Sequence, residues 1–362
     1  MMAYPRILII GAGIIGASIG YHLAKAGAAP LMVDAGTGAG EATSASWGWL
    51  NATWGNSDSY ALLRRQSLRL WRQLKSEIPE LPVRFCGSLT YDLSDADLVT
   101  FAREMATADY PIEIVGPAEI RAREPNLLAV PGQAALCLAE GVAEPSRSAF
   151  VLRQRAIALG ARFQPDTRVL RVLAGGEVET SRGSLAADIL VCCAGIGTSP
   201  LLAELGFALP INAPEGLMIH SQPVSPILTG LLIMPGMELR QTDQGRLVAA
   251  VAPAGHGDVA TQADTILSRI NTTLRLPAPA RLAFTTLGKR PVPQDGLPAI
   301  GFVPGAPGVY VAVMHSGITL AAVAGAFAAG EILGQSPHPL FETYRPGRFT
   351  GSRSNLHDAC TP

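Results

Sequence analysis

An α/β fold is predicted for this chain of 362 residues, with a parallel sheet and its helices interleaved with a second, α+β domain of antiparallel strands. Two apolar runs, Ile7-Leu8-Ile9-Ile10 and Ile189-Leu190-Val191-Cys192, each lead into glycine and then a helical pattern, as strands buried on both faces of a parallel sheet do. Residues 210–287 instead read as alternating strands with one helix, and neither they nor residues 83–139, a strand followed by helical units, carry a glycine fingerprint. That division assigns residues 1–82, 140–209 and 288–349 to the nucleotide-type domain, 83–139 and 210–287 to the inserted domain, and 350–362 to a C-terminal tail.

The first unit is a strand, a turn and a helix. Gly11 takes the tight turn, Gly13 lets the backbone approach a pyrophosphate, and Gly16 lets the helix pack close on the strand. The N–H groups of Ile14 and Ile15 then open a helix whose start faces an anion. Gly27 ends that helix, and Pro30 to Val33 rebuild a strand that delivers Asp34, an acid placed to accept from an adenosine ribose and to disfavour a 2′-phosphate. Gly36 to Ser46 is small and polar, followed by Trp47-Gly48-Trp49-Leu50-Asn51; this stretch reads either as a cradle of N–H and hydroxyl groups or as a linker.

Asp58 or Ser59 caps a helix through Leu62, Leu63, Leu70 and Leu74, with its arginines on a solvated face. A strand from Val83 to Leu93, a helix from Ala96 to Ala108 and a short helical unit between Val115 and Glu124 follow. Ser146 opens a helix with Phe150, Leu152, Ile157 and Leu159 on its apolar face, ended by Gly160. Short strands at Arg168–Leu173, Glu177–Thr180 and Ser184–Ala187 precede the second apolar strand, where Cys192 and Cys193 read as core. A helix from Ala260 to Leu274 interrupts the later strands. The last block has a turn from Pro291 to Gly296, strands at Pro298–Phe302 and Val309–Met314, and a Gly/Ala-rich helix from Ile318.

Composition narrows the function classes. A net charge of −1 gives no electrostatic footprint for nucleic acid, and 48% hydrophobic with 16% charged residues indicates a well-buried core. Cys86, Cys137, Cys192, Cys193 and Cys360 lack metal-ligand spacing, so no metal and no disulfide framework are expected. The N-terminus reads as mature and the protein as cytoplasmic. The apolar run from Ile318 to Gly330 is too short to cross a bilayer, leaving peripheral contact as the most a membrane would see.

Taken together, these motifs resemble the D-amino-acid oxidase, glycine oxidase and sarcosine oxidase family of flavoproteins. Gly11-Gly13-Gly16 with Asp34, the Ser44 to Asn51 loop, the strand Ile189 to Gly195, Arg290-Pro291-Val292-Pro293-Gln294-Asp295-Gly296, His315-Ser316-Gly317-Ile318-Thr319 and the ending Tyr344 to Phe349 all carry the likeness. It implies a glutathione-reductase-type Rossmann domain binding FAD, an interleaved antiparallel-sheet substrate domain, and oxidation of a C–N bond beside a carboxylate. Cofactor contacts are accordingly placed on Gly11, Gly13, Ile14, Ile15, Gly16, Asp34, Ala35, Thr43, Ser44, Ala45, Ser46, Trp47, Gly48, Trp49, Val169, Ala194, Gly195, Ser316, Gly317, Ile318 and Thr319.

Arg290 matches the family's carboxylate-binding arginine; its alternative is a structural pair with Asp295 across the turn. His315 stands where the glycine oxidase branch has a second arginine, so it takes a substrate or base role or none. No cysteine precedes the arginine motif, so non-covalent FAD is expected. Lys289 is the remaining lysine near it, and strand alternation turns Lys289 away from the substrate if Arg290 faces it. The electron acceptor is accordingly oxygen, a quinone or a partner protein. Oxidation of a small amino or imino acid is the favoured reading; a 2-hydroxy-acid dehydrogenase with His315 as base, and a flavin-binding subunit of a larger complex, are the alternatives.

Overall fold

A computed structural model describes residues 4–53, 58–173, 175–253 and 258–350. Its first layer is a six-stranded sheet in the order Ala299–Phe302, Val309–Val313, Ile189–Cys192, Ile7–Ile10, Leu31–Val33, Arg162–Gln164. All neighbours are parallel except the edge strand Ala299–Phe302. The two apolar runs lie side by side, Ile7 opposite Ile189 and Ile10 opposite Cys192, and Cys192 and Cys193 are buried in this core. The mixed α/β class expected from the sequence is the class observed.

Three helices cover one face of this sheet. Ile14–Lys25 packs on Gly317–Ile332 and on Pro145–Ala158, and small residues set the distance between them. A Cβ on Gly325 would stand 2.1 Å from Ser18 Oγ, so only glycine lets the two helix backbones come this close. Ser18 Oγ uses that proximity to donate to the Ala321 carbonyl at 2.7 Å. Along Pro145–Ala158 most buried side chains are likewise small, Ser148, Ala149 and Ala156 beside Leu152 and Arg153, whereas Phe150, Ile157 and Leu159 are exposed. The apolar face read from the sequence is thus largely the wrong one, because bulk marked it while close packing against a neighbouring helix demanded the opposite. Pro145 rather than Ser146 begins this helix, at the position where a missing N–H costs nothing.

The second layer is an eight-stranded sheet, Leu282–Lys289, Glu215–Pro223, Arg246–Val251, Met237–Gln241, Leu231–Met234, Ser88–Thr90, Ala134–Cys137, Glu113–Val115. Strands from both inserted stretches meet where Leu231–Met234 runs parallel to Ser88–Thr90; every other pairing is antiparallel. One face, with Leu217, Leu232, Leu239 and Ala249, packs under the helix Val259–Thr273, which Asp258 caps by accepting from Ala260 N. The opposite face turns toward the parallel domain.

The long helix Asp58–Glu77 departs most from its sequence reading. Leu62 on its supposed apolar face is 41% exposed, while Arg64, assigned to a solvated face, is 6% exposed. The residue before Asp58, the tail from residue 351 and Cys360 lie outside the described residues. Among the described residues, no helix is long and apolar enough to cross a membrane.

Candidate functional site

A continuous cavity of about 1650 Å³ runs from the glycine turn, past the start of the helix Gly317–Ile332, to the open face of the eight-stranded sheet. Pockets for drug-sized ligands occupy roughly 300–1,000 Å³, so this one has room for a dinucleotide and a small substrate together.

At the nucleotide end the backbone makes the site. Gly11 has φ +94°, and a Cβ on it would lie 2.6 Å from the Cys193 carbonyl oxygen. Gly16 does not line the cavity; a Cβ there would meet Gly11 O at 1.9 Å, so it holds the turn from beneath. Gly13, Ile14 and Ile15 do line it. Ile14 N donates to Thr43 Oγ1 at 3.1 Å, which brings the small-residue loop to the helix start. Asp34 accepts from Ala12 N at 2.8 Å and Gly36 N at 2.9 Å, fixing its carboxylate at the cavity wall beside Ala35, Val169, Ala194 and Gly195. An adenine dinucleotide fits here: the glycines make a turn that no Cβ on Gly11 or Gly16 would permit, Gly13 and the helix start line the cavity, and the acid stands at its wall.

In the middle of the cavity, Ser316 is held in the left-handed region at φ +53° just before the helix Gly317–Ile332. Such a backbone costs of order 1 kcal/mol and persists only where the surroundings enforce it. Trp71 Nε1 donates to the Ile318 and Thr319 carbonyls at 3.0 Å, Ser67 Oγ donates to the Thr319 carbonyl, and Thr319 Oγ1 donates to the Trp49 carbonyl at 2.9 Å. The helix start is thereby clamped, and the N–H groups of Gly317, Ile318 and Thr319, which have no partner one turn earlier in the helix, open on the cavity. Those N–H groups suit the electron-rich edge of a flavin ring. Facing them are Ser44, Ala45, Ser46, Trp47, Gly48 and Trp49; Trp47 Nε1 is fixed on the Val248 carbonyl at 3.0 Å.

At the far end, side chains from distant strands converge. Arg290 opens into the cavity; its Nη2 donates to the Glu215 carbonyl at 3.1 Å, and among the described residues it has no ion pair. The alternative partner Asp295 is taken by Arg348, at 2.6 Å. Lys289 lines the same cavity, against the expectation from alternation, because the strand ends at Lys289 and Arg290 lies beyond its pleat. His315 is partly buried, its Nδ1 3.2 Å from Ser316 Oγ, and burial, with the Arg290 and Arg64 charges, pushes its pKa down to about 4.

Polar lining residues escaped the sequence reading, Arg64, Thr53, Glu238 and Asp92 among them. Arg64 donates to the Asn51 carbonyl and the Thr53 carbonyl at 3.1 Å and to Asn51 Oδ1, which fixes the wall behind the tryptophan loop. Thr53 Oγ1 donates in turn to Glu140, a carboxylate 1% exposed that also accepts from Trp49 Nε1 at 2.8 Å and from the Tyr110 hydroxyl. Glu238 and Asp92 face the same lumen as Arg290; burial and the Asp92 charge push Glu238 up to about 7, and Arg290 acts against them. Nothing near Glu238 in the sequence marks it, since its place follows from strand register.

The model of the family described as FAD-dependent oxidoreductase, DAO, matches residues 6–330. An opine oxidase subunit from Rhizobium meliloti is 25% identical over 340 residues, covering 87% of this chain and 89% of the relative. Glycine oxidase from Geobacillus kaustophilus is 26% identical over 349 residues, covering 89% and 91%. Its solved structure aligns with a TM-score of 0.82 over 95% of this chain and 98% of that one at 24% identity. Iminodiacetate oxidase from Chelativorans sp. BNC1 aligns with a TM-score of 0.81 at 27% identity, over 94% and 99%. With a match of that extent laid on a cavity whose walls suit a flavin dinucleotide, the chain belongs to the DAO family of FAD-dependent oxidoreductases.

Proposed function

We propose that this chain oxidises the C–N bond of a small amino or imino acid, with Arg290 holding the substrate carboxylate and FAD bound without a covalent link. The observation that carries this reading is Arg290 itself: a guanidinium turned into the lumen, with no carboxylate of the protein paired to it among the described residues. A planar fork of donors matches a carboxylate in two hydrogen bonds. When bound, FAD supplies a centre that accepts two electrons as hydride. The N–H groups of Gly317, Ile318 and Thr319 offer stabilisation to negative charge there. Among the described residues Cys193 is the cysteine lining the cavity, and its backbone sits against Gly11 at the nucleotide end, which supports non-covalent binding.

His315 is weakly suited to removing a hydroxyl proton. A base works best with a pKa near the working pH, and burial with the Arg290 and Arg64 charges holds its imidazole at about 4, so this residue gives the 2-hydroxy-acid reading less support than Arg290 gives the amino-acid one. Lys289, open to the cavity, is a cation available for oxygen reduction. The Rhizobium meliloti relative is named as a subunit, which supports testing for a partner as electron acceptor. Anaerobic mixing of the purified yellow protein with amino, imino and hydroxy acids tests the proposal. Bleaching by amino or imino acids is expected; bleaching by hydroxy acids alone, or by none, would end it. Reoxidation by oxygen against a quinone then identifies the acceptor.

A further inference from the structure

The cavity wall opposite Arg290 is formed by one row of the eight-stranded sheet. Hydrogen-bonded register places Thr286, Met218, Ala250, Glu238, Ile233 and Thr90 side by side across it. Met218, Ala250 and Ile233 are the apolar lining such a wall calls for; Glu238 is the exception, an acid among apolar neighbours. Its carboxylate makes no ion pair among the described residues. Asp92, just past the strand Ser88–Thr90, lines the same cavity, and its Oδ1 is buried without a hydrogen-bond partner. Two acids turned into a cavity, with neither in an ion pair among the described residues, are relieved by taking up a proton, as the raised pKa of Glu238 shows, or by a cation that a ligand brings.

Their place relative to Arg290 says which part of a ligand they meet. Arg290 follows the edge strand, and the strand of Glu238 is the third one in from it, roughly 14 Å away at about 4.7–4.9 Å per strand. Asp92 lies two strands further in the same direction. The α-nitrogen of an amino acid is one carbon from its carboxylate, so a molecule anchored on Arg290 keeps that nitrogen near the arginine. The acids face the other end.

We infer that Glu238, assisted by Asp92, receives a second cationic group at the end of the substrate remote from its carboxylate, so that the preferred substrate is an amino or imino acid whose side chain ends in an ammonium or guanidinium. This rests on Arg290 as the carboxylate anchor. The charges facing Glu238 are those of Asp92 and Glu140, which keep it protonated longer, and Arg290, which opposes them. A bound cation needs it ionised, so affinity for such a ligand rises as pH passes upward through about 7.

The test uses two ligands that differ only at the remote end and have no C–N bond beside the carboxylate, hexanoate and 6-aminohexanoate. Binding to the holoprotein at pH 8 is read from the shift of the flavin absorbance. The native protein is expected to bind 6-aminohexanoate at least 10-fold more tightly than hexanoate. Glu238→Gln, close in shape and with unchanged flavin content, should remove that preference, a loss of roughly 30-fold or more for a buried charge pair. Asp92→Asn should reduce it partially. Equal or tighter binding of hexanoate by the native protein, or a preference that survives in E238Q, would overturn the inference. Flavin reduction by lysine and norleucine is measured in parallel. If neither reduces the flavin while the binding preference holds and vanishes in E238Q, the cation pocket stands and the proposed oxidation fails.

Discussion

The two ends of the cavity are built in opposite ways. At the nucleotide end, contacts come from backbone within one short stretch: Gly11 to Gly16 make the turn, and Asp34 closes it through N–H groups of Ala12 and Gly36. At the substrate end, Arg290, His315, Glu238, Asp92 and Arg64 come from five separate segments and act through side chains. A backbone site tolerates almost any neighbouring side chain but no added Cβ, whereas a side-chain site depends on each residue and leaves the fold free to vary them. The difference explains how one scaffold keeps its cofactor while changing what it oxidises.

Breaking the backbone end should have the largest effect. Gly16→Ala puts a methyl 1.9 Å from Gly11 O, and neither the strand nor the helix can yield. The purified variant is expected to carry no flavin or to be insoluble; a yellow protein with full flavin content would break the comparison at once. Arg290→Ala is the matching change at the other end. It should keep its flavin, yet kcat/KM for the best amine substrate should fall by roughly 30-fold to several thousand-fold, as truncating a charge-assisted pair does. Loss of flavin in R290A would mean that the two ends are not separable.

What could be read from the sequence follows the same division. The turn of Gly11, Gly13 and Gly16 with Asp34 was legible because its geometry is local and the spacing repeats it. The strand Ile189–Cys192 was legible beside Ile7–Ile10 because both are apolar throughout. Glu238 was not, since its role depends on register with Ala250 and Ile233, and register is a property of pairing between distant segments. Arg64 was misread for a related reason: helical spacing tells which residues share a face, but the carbonyls of Asn51 and Thr53 decided that this arginine would be buried. The helix Pro145–Ala158 failed differently, because its buried face is made mostly of small residues that hydropathy does not weight.

Between the two ends lies the wall joined by Glu140, which ties Trp49, Thr53 and Tyr110 together. Burial raises its pKa while the hydroxyl and indole donors pull it back. Glu140→Gln replaces one acceptor oxygen by an NH2 group facing donors, at a cost of about 1–3 kcal/mol in stability. Chemical denaturation checks this. The flavin content should be unchanged, but both substrate affinity and stability should drop, which would show the wall serving the side-chain end alone.

The smallest expected effect separates the cavity from the rest of the molecule by pH. His22 lies outside the cavity, buried with Nε2 unpartnered, and burial, aided by Lys25, pushes its pKa down to about 4; His315, inside, is likewise held at about 4. Unfolded histidine titrates near 6.5, so between pH 6.5 and 4 the unfolded chain takes up protons that the native one refuses. Stability is therefore lost as pH falls through that window and is unaffected by these groups above it. His22→Gln and His315→Asn should each recover about 1–2 kcal/mol of that loss at pH 5, measured by denaturation across pH 4 to 8. A carboxylate ligand such as hexanoate distinguishes them. Neutralising Arg290 removes one of the charges that hold His315 low, so the ligand should soften the acid loss in the native protein and in H22Q, but not in H315N. An equal response in all three would place His315 outside the electrostatic reach of the substrate end.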